Sequence, residues 1–202
     1  QEPCCGDAAR TAGHTGYADE IAANGSKLFR ALGVETVVAI SPHCLDQFVH
    51  HFDMPGAFRA LHYTQFLKEL MDAGRLTIAS EMPMKVTFHD PCYLGRCGGD
   101  YESPRQVLAG ITGVELVEMA HNREDALCCG GGGGRMWLET PASERFANIR
   151  VAEARATGAE IIGTACPHCV ACREDGVAGD KNLRVADVAE LGAWARAKPA
   201  AV

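Results

Sequence analysis

The chain has 202 residues, of which 47% are hydrophobic and 22% charged, enough to bury a core as one large domain or two small lobes. Its net charge of −7, with Lys and Arg unclustered, excludes a phosphate-tracking nucleic-acid surface. No signal peptide is visible, nor any apolar run of the roughly 18 residues that would cross a bilayer. The chain begins at Gln1 rather than Met, so it reads as a fragment or a processed product.

In chain order, the first feature is the vicinal pair Cys4-Cys5 followed by Gly6. A helix is predicted over 18–32 and, after Gly33, a β-rich run over 36–40 that meets Ser41-Pro42-His43-Cys44. A second helix is expected over 64–73 with Phe66, Leu67, Leu70 and Met71 inward, and a linker over 79–84. The run 85–88 then enters His89-Asp90-Pro91-Cys92. Ser103-Pro104 reads as a cap with Pro at the first helical position, and Gly113 as the end of that helix. A strand over 115–119 leads through a polar loop to Cys128-Cys129-Gly130. Thr140-Pro141 opens a helix with Phe146 and Ile149 on its stripe and Gly158 at its close. A last strand over 160–164 ends at Cys166-Pro167-His168-Cys169.

Two stretches of the chain match. Cys4-Cys5-Gly6 and Cys128-Cys129-Gly130 lie 124 residues apart, as do Asn24 and Asn148, whereas Pro42-His43-Cys44 and Pro167-His168-Cys169 lie 125 apart. The sequence is a duplication. The expected architecture is α/β: two pseudo-repeated lobes, 1–82 and 83–202, each a small parallel sheet with flanking helices. In such sheets sites form beyond the carboxyl ends of strands, where Cys92, Cys128, Cys129, Cys166 and Cys169 all fall.

Ten cysteines with two vicinal pairs do not suit a disulfide framework, since neighbours seldom meet disulfide geometry. Without a secretory signal, such spacing points to metal or redox chemistry in a reducing compartment. Buried free thiols are the plainer reading of any one cysteine. Two others stay open. Cys166-Pro167-His168-Cys169 has the form of a dithiol redox tetrapeptide, although it lies near the end of the chain and its counterpart has Ser41 for the first thiol. Three or four thiolates would also close a tetrahedral zinc site.

The order of one Cys, a CysCysGly and a CysxxCys resembles the cysteine-rich CCG-domain proteins, which include the heterodisulfide reductase catalytic subunit. The segments 89–96 and 128–139 are most similar to membrane-anchored iron–sulfur oxidoreductases linked to electron-transfer flavoprotein. The resemblance covers essentially the whole chain, as the C-terminal part of that architecture. It implies that Cys92, Cys128, Cys129, Cys166 and Cys169 bind a noncubane 4Fe-4S cluster. It also implies electron-transfer flavoprotein as donor, a quinone or disulfide acceptor, other redox subunits as partners, and a place at the cytoplasmic face of the membrane. The first copy departs from the pattern: Ser41 replaces a thiol, leaving Cys4, Cys5 and Cys44 as an incomplete second site.

The glycine run 130–134 is no phosphate loop, since no Gly-Lys-Ser/Thr follows. It suits close approach of backbone N–H groups to sulfur. Arg135 is read either as a charge beside an anionic cluster or as a solvated helix end, and His43 and His168 either as tuning groups or as turn residues. Trp137 and Met136 are expected in the core, and Cys97 and Cys172 as bystanders.

Overall fold

The computed structural model describes residues 4–56, 58–78 and 81–197. Two parallel sheets carry the chain. β1 (Thr36–Ala39) pairs with β2 (Arg59–His62), and β3 (Met84–His89), β4 (Val114–Val117), β5 (Ile161–Thr164) and β6 (Arg184–Asp187) form a second sheet in the order β4-β3-β5-β6. β3 and β5 are its middle strands, with Val86 opposite Ile161 and His89 opposite Thr164. That centrality explains why β5 is buried at all four positions and why its sequence is apolar without alternation.

Helices join the strands: α1 (Asp7–Thr11), α2 (Thr15–Ala31), α3 (Pro42–His50), α4 (Tyr63–Asp72), α5 (Ser103–Ala109), α6 (Phe146–Ala156), α7 (Pro167–Val177) and α8 (Val188–Ala197). Pro opens α3, α5 and α7, where a missing N–H costs nothing. α4 has a capping box built from His62 and Gln65. No helix among the described residues is long and apolar enough to cross a membrane.

The expected helices and strands stand within a few residues of their predicted ends. Two differ for local reasons. α5 stops at Ala109 and Gly110 rather than at Gly113, which instead turns the chain at φ 86° into β4. After Thr140-Pro141 comes only a 3-10 turn, Ala142–Glu144, before α6 begins at Phe146. Ala79 and Ser80 of the expected linker lie outside the described residues.

The duplication reaches further than the cysteines. β2 and α4 recur as β6 and α8 with the same spacing of 125 residues as β1 and β5. The main core gathers Val86, Phe88, Ile161, Leu108, Ile111 and Leu191 around the second sheet, and Tyr63, Leu67 and Met71 of α4 pack into it. A smaller core of Phe29, Phe48 and Phe52 backs β1. Tyr63 Oη–H donates to Asp187 Oδ1 at 2.6 Å, tying the first copy to the last strand.

Candidate metal centre

The site lies at the carboxyl end of the second sheet. Just past β3, Asp90 is buried and takes the Arg105 guanidinium in two bonds of 2.6 and 3.0 Å, and also the Arg123 backbone N–H at 2.9 Å. Arg105 donates onward to Glu118 at 2.7 Å. Cys92 begins the π-helical turn Tyr93–Cys97, and Arg96 from that turn donates to the carbonyls of Glu124 and Ala126. These charge-assisted bonds clamp the Cys92 turn to the loop that carries Cys128.

At Cys128-Cys129-Gly130 the backbone folds back on its sulfurs. Gly130 N–H points to Cys128 Sγ at 3.3 Å and Gly131 N–H to Cys129 Sγ at 3.4 Å. Gly130 sits at φ +84°, a conformation strained for other residues, and a Cβ on Gly131 would lie 2.6 Å from Cys172 Sγ. The sequence needs glycine here for turn and space alike. The first copy repeats the device, with Gly6 at φ +90° and its N–H 3.5 Å from Cys4 Sγ.

Cys166 follows β5 and caps α7, and Cys169 and Cys172 come after it at one-turn spacing on that helix. Cys129, Cys166 and Cys169 are buried together, with Cys128 and Cys172 against them. Cys92 joins through Cys128, whose hydrogen bond is the main cause lowering the Cys92 pKa to about 7. Cys166 is held as a thiolate near 3, chiefly by a hydrogen bond from Cys169 and despite its burial, with His168 and His43 adding to the effect. Cys129 is held low in the same way, chiefly by Cys128 and then by Cys169 and Cys172. Cys128, Cys169 and Cys172 are pushed up and keep their protons. These thiols thus share protons among converging sulfurs, an arrangement in which a soft metal can take the protons' place.

Nitrogen groups surround the sulfurs. His89, Cys129 and Cys169 bring ligand atoms within 4.8 Å of one another, and so do His43, Cys166 and His168. His43 comes from the first copy, stacked on Tyr93 at 3.9 Å and bonded to Asp7 at 3.0 Å. Burial opposes its protonation, yet hydrogen bonds to Asp7 and Cys166 outweigh that and raise its pKa to about 10. Arg173 is wholly buried and donates to the carbonyls of Ala147 and Cys128. Among the described residues no carboxylate pairs with it. A cleft of about 260 Å³, walled by Arg135, Arg145 and Phe146, opens onto Cys129 and Cys172.

The structure therefore brings Cys92, Cys128, Cys129, Cys166 and Cys169 together, and adds Cys172. That corrects the reading of Cys172 as a bystander; its signal was the further one-turn step after Cys169. His89, Arg150 and Arg173 carried no signal, because only the fold turns them inward. Trp137, expected in the core, is 82% exposed. Gly133 and Gly134 take left-handed conformations before it and swing it outward. In the first copy Cys5 and Cys44 adjoin, each shifting the other's pKa through a hydrogen bond, while Cys4 is exposed. Cys97 is also exposed.

The cysteine-rich domain model named CCG matches residues 1–49 and 86–172. The chain is 34% identical over 195 residues to a Bacillus subtilis protein named "Probable iron-sulfur-binding oxidoreductase FadF", covering 95% of this chain and 28% of that one. It is 33% identical over 202 residues to the EtfAB:quinone oxidoreductase of Syntrophomonas wolfei, covering 95% and 28%. Against one subunit of the dihydromethanophenazine:CoB–CoM heterodisulfide reductase of Methanosarcina barkeri it is 33% identical over 205 residues, covering 96% and 50%. The chain spans between about a quarter and a half of the length of these relatives. By its matched segments and its cysteine pattern, the chain belongs to the cysteine-rich CCG-domain family, whose members include iron–sulfur oxidoreductases.

Proposed function

We propose that Cys92, Cys128, Cys129, Cys166 and Cys169 hold a noncubane 4Fe-4S cluster, and that the chain passes electrons as a module of a larger oxidoreductase. The observation that carries this reading is Arg173. A wholly buried guanidinium beside sulfurs, with carbonyls but no carboxylate to receive it, costs several kcal/mol unless a negative charge stands near. A set of thiolates around an anionic centre supplies that charge. The donor chemistry agrees, since thiolates are the ligands that iron–sulfur clusters take.

When bound, the cluster would supply one-electron transfer at thiolate-held iron. The chain's own residues bury Cys166 and Cys169 from water, aim the Gly130 and Gly131 N–H groups at sulfur, and set Arg173 against the cluster's charge. In this reading residues 83–202 form the lobe that holds the cluster. Residues 1–82 form a lobe whose Cys4, Cys5 and Cys44 make an incomplete second site. The names of the relatives support electron-transfer flavoprotein as donor and a quinone or a disulfide as acceptor. One relative is named "Probable membrane-anchored ferredoxin", which supports a place at the membrane through a partner or further domains, on its cytoplasmic face in this reading.

Protein purified without oxygen tests the reading. It should be brown and carry about four irons, with acid-labile sulfide, per intact site. Stoichiometric zinc without sulfide would instead establish the second reading, a structural zinc site, which the grouping of His89 with Cys129 and Cys169 favours.

A further inference from the structure

His89 ends β3, wholly buried, and faces the sulfurs from inside the second sheet. Its Nδ1 lies 3.2 Å from Arg150 Nε. A guanidinium only donates, so Nδ1 must be the acceptor and carries no hydrogen. The ring is then the neutral tautomer with its hydrogen on Nε2. Burial, which pushes the His89 pKa down to about 4, agrees with that form. Nε2 has no hydrogen-bond partner among the described residues, sulfur included, but the ring adjoins Cys129 and Cys169, whose sulfurs lie within 4.8 Å of one of its nitrogens. Arg150 is itself immobilised, wholly buried and bonded to Glu153 at 2.6 Å and to the His121 carbonyl.

We infer that His89, locked in one tautomer by Arg150, is a positioning residue that gives the Cys129 sulfur a fixed hydrogen-bond donor and thereby sets how readily the bound centre accepts an electron. The inference rests on the proposed cluster. A donor to a ligating thiolate draws off electron density and favours the reduced, more negative state, so it raises the reduction potential. A histidine at this place differs from the backbone donors of Gly130 and Gly131 because it can be removed without changing the main chain.

The test compares wild type, His89→Leu and His89→Gln, each purified without oxygen and titrated reductively under electron paramagnetic resonance. His89→Leu should become harder to reduce by about tenfold in the one-electron equilibrium, equivalent to about 59 mV. His89→Gln, which places an amide N–H near the former Nε2, should recover most of that shift. Equal potentials for wild type and His89→Leu at equal iron and sulfide content overturn the inference. Where His89→Leu does not load, His89→Gln decides: agreement with wild type within about threefold supports the donor, and a full tenfold shift overturns it. The cluster reading fails separately, by the absence of sulfide from wild type. Cobalt-loaded protein then carries the test: a sulfur-to-cobalt charge-transfer band that shifts in His89→Leu and returns in His89→Gln supports the donor, and a band that stays in place, or that His89→Gln does not restore, overturns it.

Discussion

The two copies of the repeat share a strand, a CysCysGly turn and a Pro-capped helix, yet their sulfurs meet different surroundings. In the second copy Cys166 caps α7, and Cys129, Cys166 and Cys169 are buried beside Arg173 and His89. In the first, Ser41 caps α3, Cys4 is exposed, and Cys5 and Cys44 share a hydrogen bond within an aromatic core. A hydroxyl is a harder and far less acidic ligand than a thiol. In the proposed reading a repeated backbone does not by itself make a repeated site, and the second copy differs by its buried cation and its third converging thiol.

Exchanging one sulfur in each copy should break the comparison most sharply. Cys129→Ser should lose nearly all bound iron and much of the thermal stability, because ligand binding and folding are coupled. Cys5→Ser should leave the iron content unchanged. Iron analysis with anomalous scattering near the iron edge reads both, and two equivalent iron centres, one per copy, would defeat the distinction.

Acid should come next. His62 and His89 are wholly buried, with pKa values pushed down to about 4 mainly by burial. A histidine depressed on folding stabilises fully above its unfolded value near 6.5, and that stability drains as pH falls from there toward 4. Each should contribute a loss of about 3 kcal/mol over that window, read by urea unfolding at stepped pH. His43 runs the opposite way. Its value is raised to about 10, so its contribution is complete below 6.5 and disappears as pH climbs through 10. A flat stability profile between pH 4 and 6.5 would contradict the burial of the first two.

A smaller effect is expected at Arg173. Arg173→Met should weaken the loaded protein by about 2 kcal/mol relative to its effect on the metal-free protein, since the fully deprotonated sulfurs of the former set the larger charge against the guanidinium. Equal losses in both forms would show that Arg173 acts through packing. Smallest of all is Trp137→Ala, which should fall within about 0.5 kcal/mol because the indole is exposed.

Much of this was legible in the sequence. The strands before Cys92 and Cys166, the helix that Ser103-Pro104 opens and the five-cysteine order all follow from local patterns of apolar period, cap and turn, whereas α3 and α7, opened by Pro42 and Pro167, were not expected. Three other things were not legible. β2 and β6 begin alike, with Arg59 and Arg184, but neither shows an alternating stripe that would mark it as a strand. Arg150 and Arg173 look like solvated helix charges and become buried only because α6 and α7 pack together beneath the CysCysGly turn. Trp137 has the composition of a core residue, and two left-handed glycines overrule it. In each case the deciding contact joins residues far apart in sequence or depends on backbone handedness, neither of which periodicity registers.

His43 and His168 occupy equivalent places in the two copies, and their rings lie 4.8 Å apart. The two copies of this one position thus meet where the halves of the chain join. His43 of the first half reaches Cys166 of the second, and the residue of the first half that matches Cys166 is Ser41, a hydroxyl in place of a thiol. The Ser41 Oγ and the His168 Nδ1 are both buried without a hydrogen-bond partner among the described residues. A hydroxyl in the first half and an imidazole nitrogen in the second, 127 residues apart, are thus each left without the hydrogen bond that burial calls for.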